Sequence, residues 1–395
     1  MTSKNTKKNK SRTRTQTRTQ TRKQRESRRI RKGGKVIGSG GYGCVFRPAL
    51  KCKGSRRRVS GTISKLMSKR HTINEYTEIV KFLPILKKIP NYKEYFIIEG
   101  ASICQPARLS SSDLEMFDSK CKALKSEEIT KDNINQSLDK LDSLNLPDGG
   151  INVGEYVDSG LSNIQLKSLN ESLIKLLEHG IVPMNKYNIY HADVKESNML
   201  IDPQTHNVRL IDWGLSTKYD DGKIPYIMYK KPFQYNLPFS SILMNDTFPK
   251  MYKEFLKLHT TSENDAIVVF LRKYIEEWDK KRGSGHRRLI ISLWKIISGK
   301  ENILDAVIIP YLARILVKYT KNGDFQMMKY FKEVYLKNID IWGFVMAYSS
   351  ILEYRHERRL PIKALSSIYM KHLYETATEP ISVEKLVHSL RYNLL

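Results

Sequence analysis

The apolar positions along this chain change period several times, and each change marks an element. Residues 35–46 carry two short apolar strands around glycines, and residues 59–67 repeat the strand pattern around Lys65. From 74 to 89 the spacing lengthens to a helix, with Ile79, Phe82, Leu83, Leu86 and Ile89 on one side; Pro84 inside it predicts a kink or an early stop. Residues 95–98 and 151–157 read as strands. The stretch 110–150, rich in Ser, Lys, Asp and Asn, reads as an insertion with one or two short surface helices. Leu166, Leu169, Leu173, Leu176 and Leu177 share one helical face that Gly180 ends, a stripe that belongs to a core.

Two apolar runs, 199–201 and 208–211, flank a turn at 202–205 and pair as a hairpin, which returns Asp212 toward Asn198. A proline-bearing loop covers 215–241, and amphipathic helices fill 242–336 with a break at 282–286. Residues 338–348 are apolar almost throughout, so that helix must be buried; Asp340 near its start suits a first-turn anchor. One or two helices close the chain over 360–395.

Charge changes this picture at one end. The 395 residues carry a formal +27, but residues 1–34 hold fourteen Lys and Arg against Glu26 alone, so +13 is concentrated there and +14 spread over the rest. With Met1 and Ile30 as its main apolar residues, that segment cannot bury enough surface to offset its ordering entropy, and disorder is expected. Nucleic acid or an acidic protein surface suits residues 1–34 as a partner; a solvated arm is the plainer reading. Cys44, Cys52, Cys104 and Cys121 form no Cys-x-x-Cys pair and have no nearby histidine at ligand spacing, which predicts reduced thiols and neither zinc nor disulfides. No apolar run nears the ~20 residues of a membrane span, so the expectation is a soluble, cytoplasmic protein.

Candidate chemistry clusters in two places. Gly38, Gly40 and Gly43 give a G-x-G-x-x-G spacing, with Val45 two residues on. Such glycines let backbone N–H groups approach phosphate, but the spacing alone is weak. Here it continues into a strand and Pro48, against the helix a dinucleotide fold requires. Lys65, read alone, is an edge-strand charge. In residues 190–214, Asp193, Lys195, Asn198 and Asp212 fall within one loop and hairpin, a set suited to a divalent cation and a phosphate. His191 beside them reads as a packed structural histidine.

In chain order, the glycine hairpin, the strand lysine, a helix with acids, Asp193 with Asn198, and Asp212-Trp213-Gly214 resemble the eukaryotic-type Ser/Thr protein kinases over about 35–241 and again from 338. The tail, the insertions and the shortened activation segment resemble kinases of large cytoplasmic DNA viruses. The resemblance implies an α+β, bilobal kinase-like fold, with a small antiparallel N-lobe at about 35–155 and a mainly helical C-lobe at about 156–395 that carries a helical insertion at about 242–336. It implies ATP and Mg²⁺ as cofactors and a protein substrate. Gly38, Gly40, Gly43 and Val45 would cover the nucleotide and Lys65 would contact the α- and β-phosphates. Glu78 would pair with Lys65, with Glu75 as the fallback. Glu155 and Val157 would form the adenine hinge, with Gly154 guarding the back of that pocket. Asp193 would orient the acceptor hydroxyl and take its proton, and Lys195 would steady the γ-phosphate. Asn198 and Asp212 would hold metal, and Asp340 would brace the loop.

The pattern also departs from that family. Ala192 replaces an arginine that pairs with activation-loop phosphate, which predicts activity independent of loop phosphorylation. No Ala-Pro-Glu is present near 231–239, so substrate docking transfers least. Two other readings remain: a small-molecule kinase of the aminoglycoside or choline type, and an inactive kinase-fold scaffold with a nucleic-acid-binding tail.

Overall fold

A computed structural model describes residues 34–202, 204–220, 222–260 and 264–392; the basic tail expected to be disordered lies outside them. The described chain divides into two compact units, residues 34–76 with 100–148, and residues 77–99 with 149–392. A β-rich first unit and a mainly helical second one give the α+β class and the kinase-like order of elements expected from the sequence.

The first unit is an antiparallel sheet of β1 (Lys35–Ser39), β2 (Gly43–Arg47), β3 (Thr62–Ser68), β4 (Ser102–Cys104) and β5 (Leu141–Pro147), ordered β1-β2-β3-β5-β4. Helix α1 (Lys69–Leu86) follows β3 directly. It begins before the expected 74 and runs through Pro84 to Leu86. Val36, Phe46, Leu66, Phe117, Leu124 and Leu141 are buried in one core.

That core overturns two expectations. The segment 110–150 is not a surface insertion. Its short helices α2 (Phe117–Lys120) and α3 (Lys122–Ser126) place Phe117 and Leu124 in the core, and its end supplies β5, which pairs with β3 along its whole length. Polar composition hid this because only a few apolar residues per turn face the sheet. Nor are the thiols reduced: Cys44 bonds Cys121 and Cys52 bonds Cys104, with Cα atoms 5.2 and 5.7 Å apart, inside the disulfide range. Partners separated by 77 and 52 residues leave no local motif to read. Disulfides are uncommon in reducing compartments, so the cytoplasmic expectation loses its cysteine argument.

The second unit opens with residues 77–99, which form no strand at 95–98; Phe96 makes a single parallel bridge to Leu210. Strand β6 (Ile151–Asn152) pairs with β8 (Met199–Ile201), and β8 with β9 (Val208–Leu210), so the predicted hairpin forms. Helix α4 (Val153–Asp158) replaces the strand expected to Val157, because the Asn152 side chain accepts from Glu155 N–H and caps a helix start. Helix α5 (Asn163–Leu176) has a Ser162/Gln165 capping box. It does not end at Gly180 but passes through a π-turn (Leu177–Ile181) into α6 (Val182–Lys186). Strand β7 (Ile189–Tyr190) pairs with β10 (Thr217–Lys218).

Beyond residue 242 come α7 (Thr247–Leu256), α8 (Asn264–Arg282), α9 (Arg287–Ser298) and α10 (Ile309–Tyr319). Phe248, Tyr252 and Tyr274 pack the core among them, buried with ring centroids 4.8–5.7 Å apart along Phe248–Tyr252 and Phe248–Tyr274. A small hairpin, β11 (Thr320–Lys321) and β12 (Asp324–Phe325), leads into α11 (Met327–Tyr330). Helix α12 (Leu336–Met346) is buried over nearly its whole length, as its sequence demanded. Helices α13 (Ser349–Glu357), α14 (Lys363–Ile368) and α15 (Val383–Tyr392) follow. No helix among the described residues is long and apolar enough to cross a membrane.

Candidate active site

In the first unit, Lys65 is the centre. Its Nζ lies 2.7 Å from Oε2 of Glu75, with both side chains about nine-tenths buried. Burying two charges costs several kcal/mol and is tolerable only when they pair well. Glu78, the expected partner, instead reaches Lys81 at 3.2 Å on the solvent side of α1. Val45 stands opposite Lys65 in the β2–β3 register, which puts both side chains on one face.

The glycines divide by role. A Cβ on Gly40 would lie 3.7 Å from Lys65 Cε, so the tip of the β1–β2 hairpin leans over the lysine. Gly40 N–H donates to Gly43 carbonyl oxygen at 2.9 Å and closes the turn. Gly43 has a packing reason of its own, since a side chain there would overlap Met67 and the Leu66 carbonyl. Gly38 has open space around it. On the hairpin's other side, Ser39 Oγ accepts from Ala123 N–H at 3.0 Å, and the Cys44–Cys121 disulfide fastens the same segment. A lysine held by a carboxylate, beneath a turn whose tip lacks side chains, suits phosphate oxygens.

In the second unit the loop after β7 is held from below by α12. Asp340, fully buried, accepts from His191 N–H at 2.9 Å, Ala192 N–H at 2.8 Å and Asn185 Nδ2 at 2.8 Å. Burial raises its pKa, while the positive field of His191 and these three donors work the other way. Ala192 takes the left-handed conformation at φ 57°, which turns the chain so that Asp193 follows. One turn beyond Asp340, Gly343 lets the loop seat: a Cβ there would overlap the Val194 carbonyl oxygen. His191 is buried, with Nε2 2.9 Å from Ile211 carbonyl oxygen and its ring edge-on to Trp213 at 5.2 Å; it packs.

Asp193 is clasped on both oxygens. Lys195 Nζ donates to Oδ1 at 3.0 Å and Oδ2 at 2.8 Å, Asn198 Nδ2 to Oδ2 at 2.9 Å, and Asn236 Nδ2 to Oδ1 at 2.9 Å. Asn198 also donates to the Asp193 carbonyl, which commits its amide nitrogen and leaves the amide oxygen as its acceptor. Asp212 closes the hairpin at φ 66°, and the Cβ that Gly214 lacks would come 3.4 Å from its Oδ1. Trp213 fills the pocket behind, buried against Phe82 and Phe96, with Nε1 3.3 Å from Ile97 carbonyl oxygen. Among the described residues no group of three or more His, Cys, Asp or Glu could hold a metal. One carboxylate and one amide oxygen still suit Mg²⁺, which binds through few protein ligands plus substrate phosphates and water.

Sequence reasoning missed Asn236 and Tyr235. They sit in the loop without Ala-Pro-Glu, where Asn236 is buried on Asp193 and Tyr235 hydroxyl donates to both Glu196 oxygens at 2.9 Å. Nothing local signals either; the loop's return to Asp193 is a tertiary fact. The hinge expectation fails on geometry. Glu155 and Val157 lie within α4, and the Glu155 carbonyl already accepts from Ser159 N–H. Gly154 lies on the same helix against Glu196, so it guards no strand end.

No family model matches the chain. It is similar, at 22% identity over 251 residues, to calcium-dependent protein kinase 4 of Plasmodium falciparum (isolate 3D7) and to its namesake in Plasmodium berghei (strain Anka); the match covers 61% of this chain and 45% of each relative. The chain therefore spans about half the length of these curated relatives, neither of which is viral. Distant similarity to protein kinases is what these matches establish.

Proposed function

We propose that the protein transfers the γ-phosphoryl group of MgATP to serine or threonine hydroxyls of protein substrates. The observation that carries this reading is the Asp193 carboxylate, fixed by Lys195, Asn198 and Asn236 in a loop that Asp340 anchors. MgATP supplies the phosphoryl group and the divalent charge that offsets phosphate repulsion. Asp193 orients the acceptor hydroxyl and receives its proton as the oxygen attacks. Lys195, on the same carboxylate, presents a positive charge where negative charge grows. Asn198 and Asp212 would hold the metal, and Lys65, fixed by Glu75, would hold phosphate oxygens beneath the Gly40 turn. Lys195, two residues after the aspartate, favours protein hydroxyls over small-molecule acceptors. The viral likeness rests on the tail, the insertions and the shortened activation segment alone.

Full-length protein with labelled ATP, Mg²⁺ and a mixture of basic proteins tests the reading. Incorporation that Asp193→Ala abolishes supports it; no incorporation, or equal incorporation by the variant, replaces it with the scaffold reading.

A further inference from the structure

The loop after β2 reads Lys51-Cys52-Lys53-Gly54-Ser55-Arg56-Arg57-Arg58, five cations in eight residues with no acid among them. Arg58 turns inward, donating to both Asp113 oxygens at 2.8 and 2.9 Å and to the Ala49 carbonyl at 2.8 Å. The other four cations are exposed, as is Arg108 in the segment that follows β4. None of these five makes an ion pair among the described residues.

The loop is fastened to its neighbour. Cys52 forms an antiparallel bridge with Pro106, Lys53 N–H donates to the Gln105 carbonyl at 2.8 Å, and Ala107 N–H donates to the Lys51 carbonyl at 2.7 Å. Beneath them the Cys52–Cys104 disulfide joins the same two segments, and Asn145 Nδ2 donates to both sulfurs at 3.6 and 3.3 Å. Side chains two apart on an extended segment share a face about 7 Å apart, so Lys51 and Lys53 stand together, opposite the Cys52 sulfur. With Gly54, Ser55, Arg108 and Leu138 they line an open concavity of about 400 Å³. The turn Leu138–Lys140 adds one acid, Asp139, and one base. Like charges held on a fixed base repel one another, and a bound anion relieves that repulsion.

Two observations select the anion. The described chain begins at Gly34, where a Cβ would overlap the Pro48 carbonyl oxygen and lie 3.4 Å from Arg58 Nη1. Residues 1–33, with fourteen Lys and Arg, therefore join the first unit at the root of this same loop. An extended ligand with regularly repeated negative charge complements both. In addition, none of the residues lining the concavity is aromatic. Without a stacking platform, such a site holds backbone phosphates and not bases.

We infer that Lys51, Lys53 and Arg108 form a binding site for the phosphate backbone of a nucleic-acid duplex, on the folded unit to which the basic residues before Gly34 are joined. This site is independent of the kinase reading. The test is salt-dependent binding of full-length protein to a short DNA duplex. We expect the triple variant Lys51→Gln, Lys53→Gln, Arg108→Gln to lower the slope of log affinity against log salt by about 2–3, at 0.9 per phosphate contact. A control triple, Lys120→Gln, Lys122→Gln, Lys125→Gln, removes the same charge from exposed lysines of α2 and α3 and should leave the slope near wild type. If the first triple does not fold, Arg108→Gln alone should lower the slope by about 1. An unchanged slope in the variant that folds, or an equal fall in the control, overturns the site. So does a variant that loses binding to polyglutamate but not to DNA, which assigns the concavity to an acidic protein instead.

Discussion

Glu75 and Glu78 stand three positions apart on α1, and only Glu75 meets Lys65. The resemblance favoured Glu78 because Ile79, Phe82 and Ile85 follow it at the spacing the family packs there. On the helix as formed, the acid one turn earlier faces the strand lysine, and Glu78 faces Lys81. We expect Glu75→Ala to cut kcat/KM for ATP by 10- to 100-fold, about 1.4–3 kcal/mol, since it removes the carboxylate that pairs with a nearly buried ammonium. Glu78→Ala should change stability by no more than about 0.5 kcal/mol. Steady-state kinetics on both variants decide this, and a larger loss for Glu78→Ala would reverse the assignment. Asn236 permits a parallel test. Asn236→Ala removes one of the two donors to Asp193 Oδ1, and kcat should fall by about tenfold or more while KM for ATP stays near wild type. An unchanged kcat would show that Lys195 and Asn198 suffice.

At the scale of elements, one turn of α12 sets the loop. Asp340 takes its N–H groups and Gly343 makes room for Val194. Replacing Gly343 with alanine adds a methyl where the Val194 carbonyl lies, so the loop must lift from the helix. We expect Gly343→Ala to abolish most turnover and to destabilise the protein by about 1–3 kcal/mol, read by denaturant unfolding and by phosphoryl transfer. Near-normal turnover would mean that the loop does not depend on this seat. The glycine's role could not be read from the sequence, where it interrupts an apolar helix without a stated reason. Asp340 was easier, because an acid at the start of an apolar helix suits a first-turn anchor and the family resemblance implied that it braces the loop. Likewise the 199–211 hairpin was legible from its turn, while α4 was lost to a strand because a single Asn152 cap outweighed the apolar pattern of 151–157.

On the scale of the whole chain, charge and covalent links matter most. Residues 1–34 hold +13 of the +27. If they bind polyanions, log affinity falls with log salt by about 0.9 per phosphate neutralised. Full-length protein should show a steep slope on double-stranded DNA, and removal of residues 1–34 should flatten it; equal slopes would assign DNA binding elsewhere. Composition made that segment legible at once. By contrast, the packed 110–150 segment and both disulfides depend on contacts between distant residues, and no period or spacing announces them.

The two disulfides are nested: the Cys52–Cys104 ring lies inside the Cys44–Cys121 ring, and Lys65 and Glu75 fall within both. A break anywhere between residues 52 and 104 therefore cannot separate the pieces. The exposed basic loop at Arg56 and Arg57 invites such a break. A chain cut there by trypsin should run as one band without reductant and as two with it, the nick hidden until the sulfurs part.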